Sequence, residues 1–388
     1  MGKILNSSLG ETTKISQYIS ETGYNEYYVV INSTDKDSTT ALDQMSQDLK
    51  RVLYKLNLSE SNIVSSRLYS SDISNQNSSI VDSDLYAFMI NGAASIVQQT
   101  PLLSGSYILL AYFLDPILDK TVYEKESMMQ CVVKGEKYSQ FHTYGITPVI
   151  DGDSYKQTVN IFERYNKFIN SEEMSLIDNT VRSWIYVRDV DNNYKGMVDA
   201  RLKYFDEQGL TRDTRYIAST GIEAKMSCED VLVSMDVLSI SGISQEQIIR
   251  MEAPSHMSPT IDYGVTFERG TEIKFGDRSH YYVSGTASID NFGDVLFVGD
   301  HERQTERAIM NIMAMIERSK CTINDFMYII VYLRDFKFTE VVMNVVSRYF
   351  TNTPIVCVVG AVCRPSWLVE IEGVLIKHDV NNDFEVYK

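Results

Sequence analysis

Cysteine is scarce and unpatterned in this chain: five among 388 residues (Cys131, Cys228, Cys321, Cys357 and Cys363), with no CxxC pair. An odd, irregular set supplies no disulfide framework and reads as reduced thiols. The five histidines are scattered as well, so no zinc or iron ligand set is visible and neither a metal nor a cofactor is expected. Basic residues are outnumbered, 36 Lys and Arg against 52 Asp and Glu, for a formal charge of −16. Nucleic-acid binding needs a clustered cationic surface. No run of Lys or Arg supplies one, and no nucleic-acid partner is expected. Long apolar runs are missing too. The longest, Tyr107 to Leu114 and Met327 to Leu333, fall far below membrane-spanning length. Met1 to Thr13 is polar and lacks the apolar core of an export signal. The expectation is a cytoplasmic protein without a membrane partner.

Core material is plentiful, with 44% hydrophobic and 23% charged residues, a globular composition. The length calls for two or three compact units. An internal repeat says which. Gln157-Thr158 opens the amphipathic stretch QTVNIFERYNKFINS and leads to TVRSWIYVRD, ending at Asp189. Gln304-Thr305 opens QTERAIMNIMAMIERS and leads to FMYIIVYLRD, ending at Asp335. Both then run through a second helical stretch to a Tyr-Phe pair, Tyr204-Phe205 and Tyr349-Phe350, and the offset stays at 145 to 147 residues throughout. A whole helix–strand–helix order in register is a repeat of fold.

A fainter copy lies near the start. Thr39 to Asn57 has helical periodicity, and NIVSSRLYSSD is a strand ending at Asp72. Asn62, Asn179 and Asp325 sit ten residues before the terminal Asp of each copy, and Tyr69, Tyr186 and Tyr332 three before it. The Ser/Asn-rich stretch from Ser71 to Ser83 reads as a loop insertion. Each unit opens with a strand pair, of which Glu26 to Ser33, Phe141 to Ile150 and Tyr281 to Asp290 are the clear members. The order β-β-α-β-α-β implies an α/β (α+β) fold with a mixed sheet and two helices on one face. The units are expected over residues 1–121, 122–255 and 256–388. Such a sheet leaves an open face that three units can cover by packing around a threefold axis. One chain would then form a pseudo-trimer, as a monomer or weak homo-oligomer, with ligand sites in the clefts between units.

The last unit resembles the Rid (YjgF) family through HYYVSGTASI (280–289), ERAIMNIMAMIE (306–317), VYLRD (331–335) and WLVEIEGV (367–374). The resemblance is closer to the chorismatase branch of that superfamily. It runs through VRSWIYV (181–187), IASTGI (217–222), TFERG (266–270), VSGTAS (283–288) and VCRPSWLVEIEGV (362–374). It implies a chorismate-mutase-like fold with sites at unit interfaces and, from the chorismatase branch, cleavage of the enolpyruvyl ether of chorismate. Four departures stand out. Val356 occupies the place of the arginine with which imine-deaminating Rid proteins grip a carboxylate. Chorismatases follow VSGTAS with a histidine-containing loop, where this chain has IDNFGDVLFVGD. The stretch from Ser258 to Val265 is short, and Glu223 replaces a glycine.

Releasing pyruvate from an enol ether requires protonating its methylene carbon, so the acid must be neutral at working pH. A carboxyl group in an apolar, partly dry pocket meets that need. Glu370 in WLVEIE fits and matches the family's catalytic acid. Its bland alternative is an ordinary strand residue, and Glu372, on the same face, leaves the choice between them open. Cys363 lies seven residues earlier, across the turn Arg364-Pro365-Ser366. A buried cysteine is more often a small core residue. By resemblance it occupies the position of the cysteine in hydroxybenzoate-forming chorismatases, which implies 3-hydroxybenzoate and pyruvate as products. A small anionic carboxylate substrate needs cations. Arg269 in TFERG is the main candidate, with Arg334 and Arg364 behind it. Arg334 has a counterpart in Arg188, which also fits a structural salt bridge. Tyr263 is a candidate hydrogen-bond donor, and Gly285 and Ala287 candidate pocket-wall residues. Two other functions stay open: a Rid-like enzyme acting on another imine, enamine or enol ether, and a non-catalytic binder of small carboxylates.

Overall fold

The computed structural model describes residues 2–103, 105–126 and 128–388, with Tyr263 described in its backbone alone. The chain folds as three successive units of one topology. The first runs through β1 (Lys3–Leu9), β2 (Thr13–Ile19), β3 (Asn25–Asn32), α1 (Ser38–Leu56), β4 (Ile63–Ser70), α2 (Ile73–Val81), α3 (Asp84–Met89), β5 (Ala93–Gln98) and β6 (Tyr107–Asp115). The second comprises β7 (Asp119–Lys125), β8 (Met128–Lys134), β9 (Ser139–Ile146), α4 (Ser154–Ser171), α5 (Leu176–Asn179), β10 (Thr180–Val187), α6 (Val190–Glu207), β11 (Ala218–Glu223) and β12 (Val233–Ser241). The third comprises β13 (Ile248–Arg250), β14 (Gly270–Lys274), β15 (Arg278–Ala287), α7 (His301–Arg318), β16 (Phe326–Leu333), α8 (Thr339–Tyr349), β17 (Ile355–Val359) and β18 (Val369–His378).

Each unit makes a six-stranded sheet in the same order, β1-β2-β3-β6-β4-β5 and its equivalents. Among the described residues, the parallel neighbours within each sheet are β4–β5, β10–β11 and β16–β17. The sheets are therefore mixed, as expected, with two strands per unit beyond the predicted order. The extra strands escape the sequence pattern for a physical reason: β7 (DKTVYEK) is an exposed edge without alternation, and β13 is only three residues long. They also move the changeovers forward. The second sheet begins at Asp119 and the third at Ile248, ahead of the expected 122 and 256. The Ser/Asn-rich stretch is corrected as well, because residues 73–81 form α2. Its buried anchors are Ile73 and Ile80, and the Gln76 side chain accepts from Asp72 N at 3.0 Å at the helix start. Two apolar anchors in nine residues give a weak periodic signal.

The repeated sequence marks have repeated jobs. Asn62 and Asn179 donate to the carbonyls of Leu114 and Ile240, while Asp325 accepts from Thr322 N at a helical start. Gln157 accepts from Leu232 N at 2.8 Å, and Gln304 accepts from Leu368 N at 2.9 Å. Each glutamine thus ties the first long helix of its unit to the loop entering the last strand. α7 buries Thr305, Ala308, Ile309, Ile312, Met315 and Ile316 at helical spacing and is capped by Asp300, which accepts from Arg303 N.

The helices cover one face of each sheet, and the neighbouring units meet the other. β4 packs on β8, β10 on β14, and β16 on β2. This is a closed cyclic order within one chain, a pseudo-trimer with three equivalent junctions. Short bridges reinforce them: Gln98 to Lys225, Ala218 to Glu268, and Pro101 to Val358.

Candidate active site between the second and third units

β18 is the central strand of the third sheet, flanked by β15 and β16. Its alternation sends Glu370 and Glu372 to the same face, toward the second unit. The two carboxylates meet different surroundings. Glu372 is 1% exposed. It accepts from Arg182 at 2.6 Å, from Trp184 Nε1 at 2.7 Å and from the Thr220 hydroxyl. Breaking such a buried, multiply bonded pair costs about 3–5 kcal/mol, because one charge is left stranded. Glu370 instead faces a cavity of about 40 Å³. Burial, joined by repulsion from Glu372, pushes its carboxyl up to about 8, while Arg182 and Arg269 pull the other way. One carboxylate carries the ion pair and the other keeps a proton to near neutral pH, a division of roles seen where acid chemistry is done.

Gly285, in β15, makes room for that acid. A Cβ there would lie 1.9 Å from Glu370 Oε1, so a side chain would displace the carboxyl. The Gly285 N–H donates to Thr220 Oγ1 at 2.9 Å, which joins the glycine to the Glu372 network.

The third unit contributes most of the predicted wall: Gly285, Ala287, Cys363, Arg364 and Glu370, with Arg269 from the segment entering β14. Arg269 donates to the Ser258 carbonyl at 2.9 Å. The Cys363 thiol is pushed up to about 12 by burial and by Glu370, although Tyr194 hydrogen-bonds it and Arg364 and Arg201 oppose the rise. It is therefore a thiol at neutral pH, not a thiolate nucleophile in waiting. Arg364 stacks on Trp367 at 4.8 Å and reaches the Gly293 carbonyl at 3.5 Å.

Arg334 is not brought into the cavity. It pairs with Asp191 at 2.8 and 3.1 Å and donates to the Val362 carbonyl at 2.8 Å. Its counterpart Arg188 likewise donates to loop carbonyls, those of Val231, Met226 and Cys228. Both arginines fasten the loop before the last strand. Tyr263 sits in a short helical turn, Thr260–Tyr263, and its side chain lies outside the described residues. Val356 is fully buried in β17, the strand whose Val358 bridges Pro101 of the first unit. Register puts Thr220 at the matching place beside the cavity, since Trp184 opposes Thr220 as Ile330 opposes Val356.

The second unit supplies groups that sequence reasoning missed. Tyr194 and Arg201 project from α6 into the cavity wall, and Ser219 and Gly221 from β11. Arg201 did leave a signal. It falls on the buried stripe of α6, four residues after Met197 and four before Phe205, where a cation is out of place. Among the described residues no group of His, Cys, Asp and Glu could hold a metal ion, and no helix is long and apolar enough to cross a membrane.

Comparison with known proteins agrees with this geometry. The family described as endoribonuclease L-PSP matches residues 274–376, which takes in β15 to β18. A RutC family protein of Saccharolobus solfataricus is 32% identical over 110 residues, covering 79% of that protein and 28% of this chain. The chain belongs to this Rid (RutC, YjgF) family. A second RutC family protein, from Pyrococcus abyssi, is 28% identical over 137 residues, covering 99% of its length and 35% of this chain. A Rid relative thus corresponds to about one unit of this larger protein. A crystal structure of a chorismatase superposes with a TM-score of 0.63 at 16% identity, covering 81% of this chain and 93% of that one. The three-unit Rid architecture is therefore the fold of that chorismatase.

Proposed function

We propose that this Rid-family protein is a chorismatase-like enzyme that splits chorismate into pyruvate and 3-hydroxybenzoate. The observation that carries the reading is Glu370. A buried carboxyl held protonated to about pH 8 faces a cavity ringed by guanidinium groups. In the proposed reaction the Glu370 proton goes to the methylene carbon of the enol ether. The electron pair of the double bond takes that proton, and the ether oxygen carries the cation that results. Arg269, Arg201 and Arg364 hold the carboxylates and set the methylene carbon against the acid. The ring hydroxyl beside the ether adds to the cationic carbon and gives up its proton; its bond to the ring then breaks and the ring loses the hydrogen beside the ether oxygen to become aromatic. The adduct splits into pyruvate, which leaves with the former hydroxyl oxygen, and a phenolate that keeps the ether oxygen and takes one of the two released protons, while Glu370 recovers the other. The two products account for every atom of chorismate, so no water and no redox partner is consumed. Cys363, as a neutral thiol beside Glu370, fills the end of the cavity and steers the product toward the aromatic acid. General acid catalysis of this kind is worth about 10²–10⁴ in rate.

The test is chorismate turnover by wild type and Glu370→Gln, following pyruvate and aromatic products together. Pyruvate and 3-hydroxybenzoate in equal amounts, lost in the variant, support the reading. Folded wild type that leaves chorismate unchanged ends it and transfers the site to another small carboxylate.

A further inference from the structure

The cavity at Glu370 has a larger neighbour. Next to it, at the same junction, lies a cleft of about 300 Å³ walled by Tyr216 and Arg250 and by the segment from Ala253 to Ile261. The two spaces share Phe267 and Arg269. Phe267 is half-buried between two cations, with Arg201 Cζ 5.9 Å and Arg269 Cζ 5.7 Å from its ring centre. Arg269 binds the Ser258 carbonyl, which belongs to the cleft wall. Ser258 itself is 4% exposed, and its hydroxyl has no hydrogen-bond partner among the described residues. A buried polar group left unsatisfied is costly, and a ligand atom that reaches it from the cleft would relieve it.

Volume separates the roles. The inner cavity, about 40 Å³, is too small for a ring. The cleft reaches the size of an ordinary small-molecule site. Two of its three cations are paired with carboxylates: Arg250 lies 3.4 Å from Glu268 and 3.5 Å from Glu252, and Arg212 lies 3.4 Å from Asp262 at the rim. It therefore offers hydrogen-bond donors and a Tyr–Phe–Pro wall without strong net charge, which suits a ring bearing one carboxylate.

We infer that cavity and cleft are two compartments of one binding site, with Phe267 as the partition. The outer compartment takes the carboxylated ring of a ligand whose enolpyruvyl-sized end lies at Glu370. This deepens the proposed function and rests on it for the choice of ligand. It makes Phe267 and Ser258 specificity-determining residues.

The experiment is calorimetric titration of the full chain with pyruvate for the inner compartment and 3-hydroxybenzoate for the outer. Two compartments bind both at once, so saturating pyruvate shifts the Kd of 3-hydroxybenzoate by less than about threefold. Ser258→Ala and Phe267→Trp, each with an unchanged thermal midpoint, weaken 3-hydroxybenzoate at least about fivefold more than pyruvate. Mutual exclusion of the two acids by wild type overturns the inference. So does equal weakening of both in the variants, or no binding of 3-hydroxybenzoate up to about 10 mM. Chorismate turnover enters none of these readouts, so loss of the two compartments leaves the lyase reading standing, and the reverse holds as well.

Discussion

At the junction of the second and third units Arg182 meets Glu372, with Thr220 and Trp184 completing the shell. At the junction of the first and second units Arg67 meets Asp236, with Ser95 at 2.8 Å and Gly145 N–H at 2.8 Å in support. Register puts the two acids and their hydroxyl partners at the same place in the fold, while Arg182 stands two residues before the position that Arg67 fills. Trp184 opposes Asp236 as Ile330 opposes Glu372, and Ser95 pairs with Arg67 as Thr220 pairs with Trp184. The difference lies one step along the last strand. Tyr332 opposes Glu370, whereas Tyr186 opposes Ser234 and Tyr69 opposes Ile108. The third junction drops charge at both matching positions, with Leu110 for Glu372 and Ile108 for Glu370. A buried ion pair is thus part of the architecture at every junction, since Arg278 meets Glu26 at 2.8 Å between the third and first units, and among the described residues a protonated acid is added in only one. The lesson is that the ion pair alone does not mark chemistry; the acid beside it does.

The largest effect expected from breaking this comparison is on turnover. Glu370→Gln should lower pyruvate release by about 10²–10⁴, measured by coupled assay, with folding retained. Next is Gly285→Ala. Its methyl would press on the acid, and a displacement of about 1 Å costs roughly 10² in kcat, read from steady-state kinetics. Asp236→Asn strikes the silent junction. It should leave turnover per folded molecule alone and cost about 3–5 kcal/mol of stability by stranding Arg67, read from urea denaturation midpoints. The pH dependence sharpens the contrast. Glu370 must be protonated to act, so kcat should fall about tenfold per pH unit above about 8. The linkage has the opposite sign from an ordinary ion pair. The folded state holds the proton that the unfolded state loses above the usual carboxyl value, so this group costs stability increasingly as pH rises from about 4.5 toward 8. The thermal midpoint of Glu370→Gln should therefore gain on wild type across that window. A constant difference would remove the buried, protonated acid. The smallest effect is Ser234→Ala, which deletes a buried hydroxyl without a partner and should shift stability by no more than about 1 kcal/mol.

What was legible in the sequence follows from where each signal resides. The repeat was readable because caps and the terminal Asp of each strand are local devices that recur in all three units, and the Gln tethers recur in the last two. Cys363 and Glu370 were readable as neighbours because seven residues and a turn separate them, and both line the cavity. Edge strands such as β7 were not, since their stability comes from pairing with β8 rather than from an apolar face. Tyr194 was not, because a residue's partner across a junction leaves no mark at its own position, and Arg201 left only the mark of a cation on a buried helical stripe. Arg182 lay within a recognised motif, yet its partner Glu372 is 190 residues away.

Having the whole ring on one polypeptide also changes the arithmetic of occupancy. A ring of three identical chains repeats each substitution at every junction, so its sites rise and fall together. Here each junction has its own sequence, and among the described residues Glu370 is the buried acid that faces a cavity. Titration with a tight ligand should therefore saturate at one equivalent per chain, with a single class of site and a Hill coefficient of one.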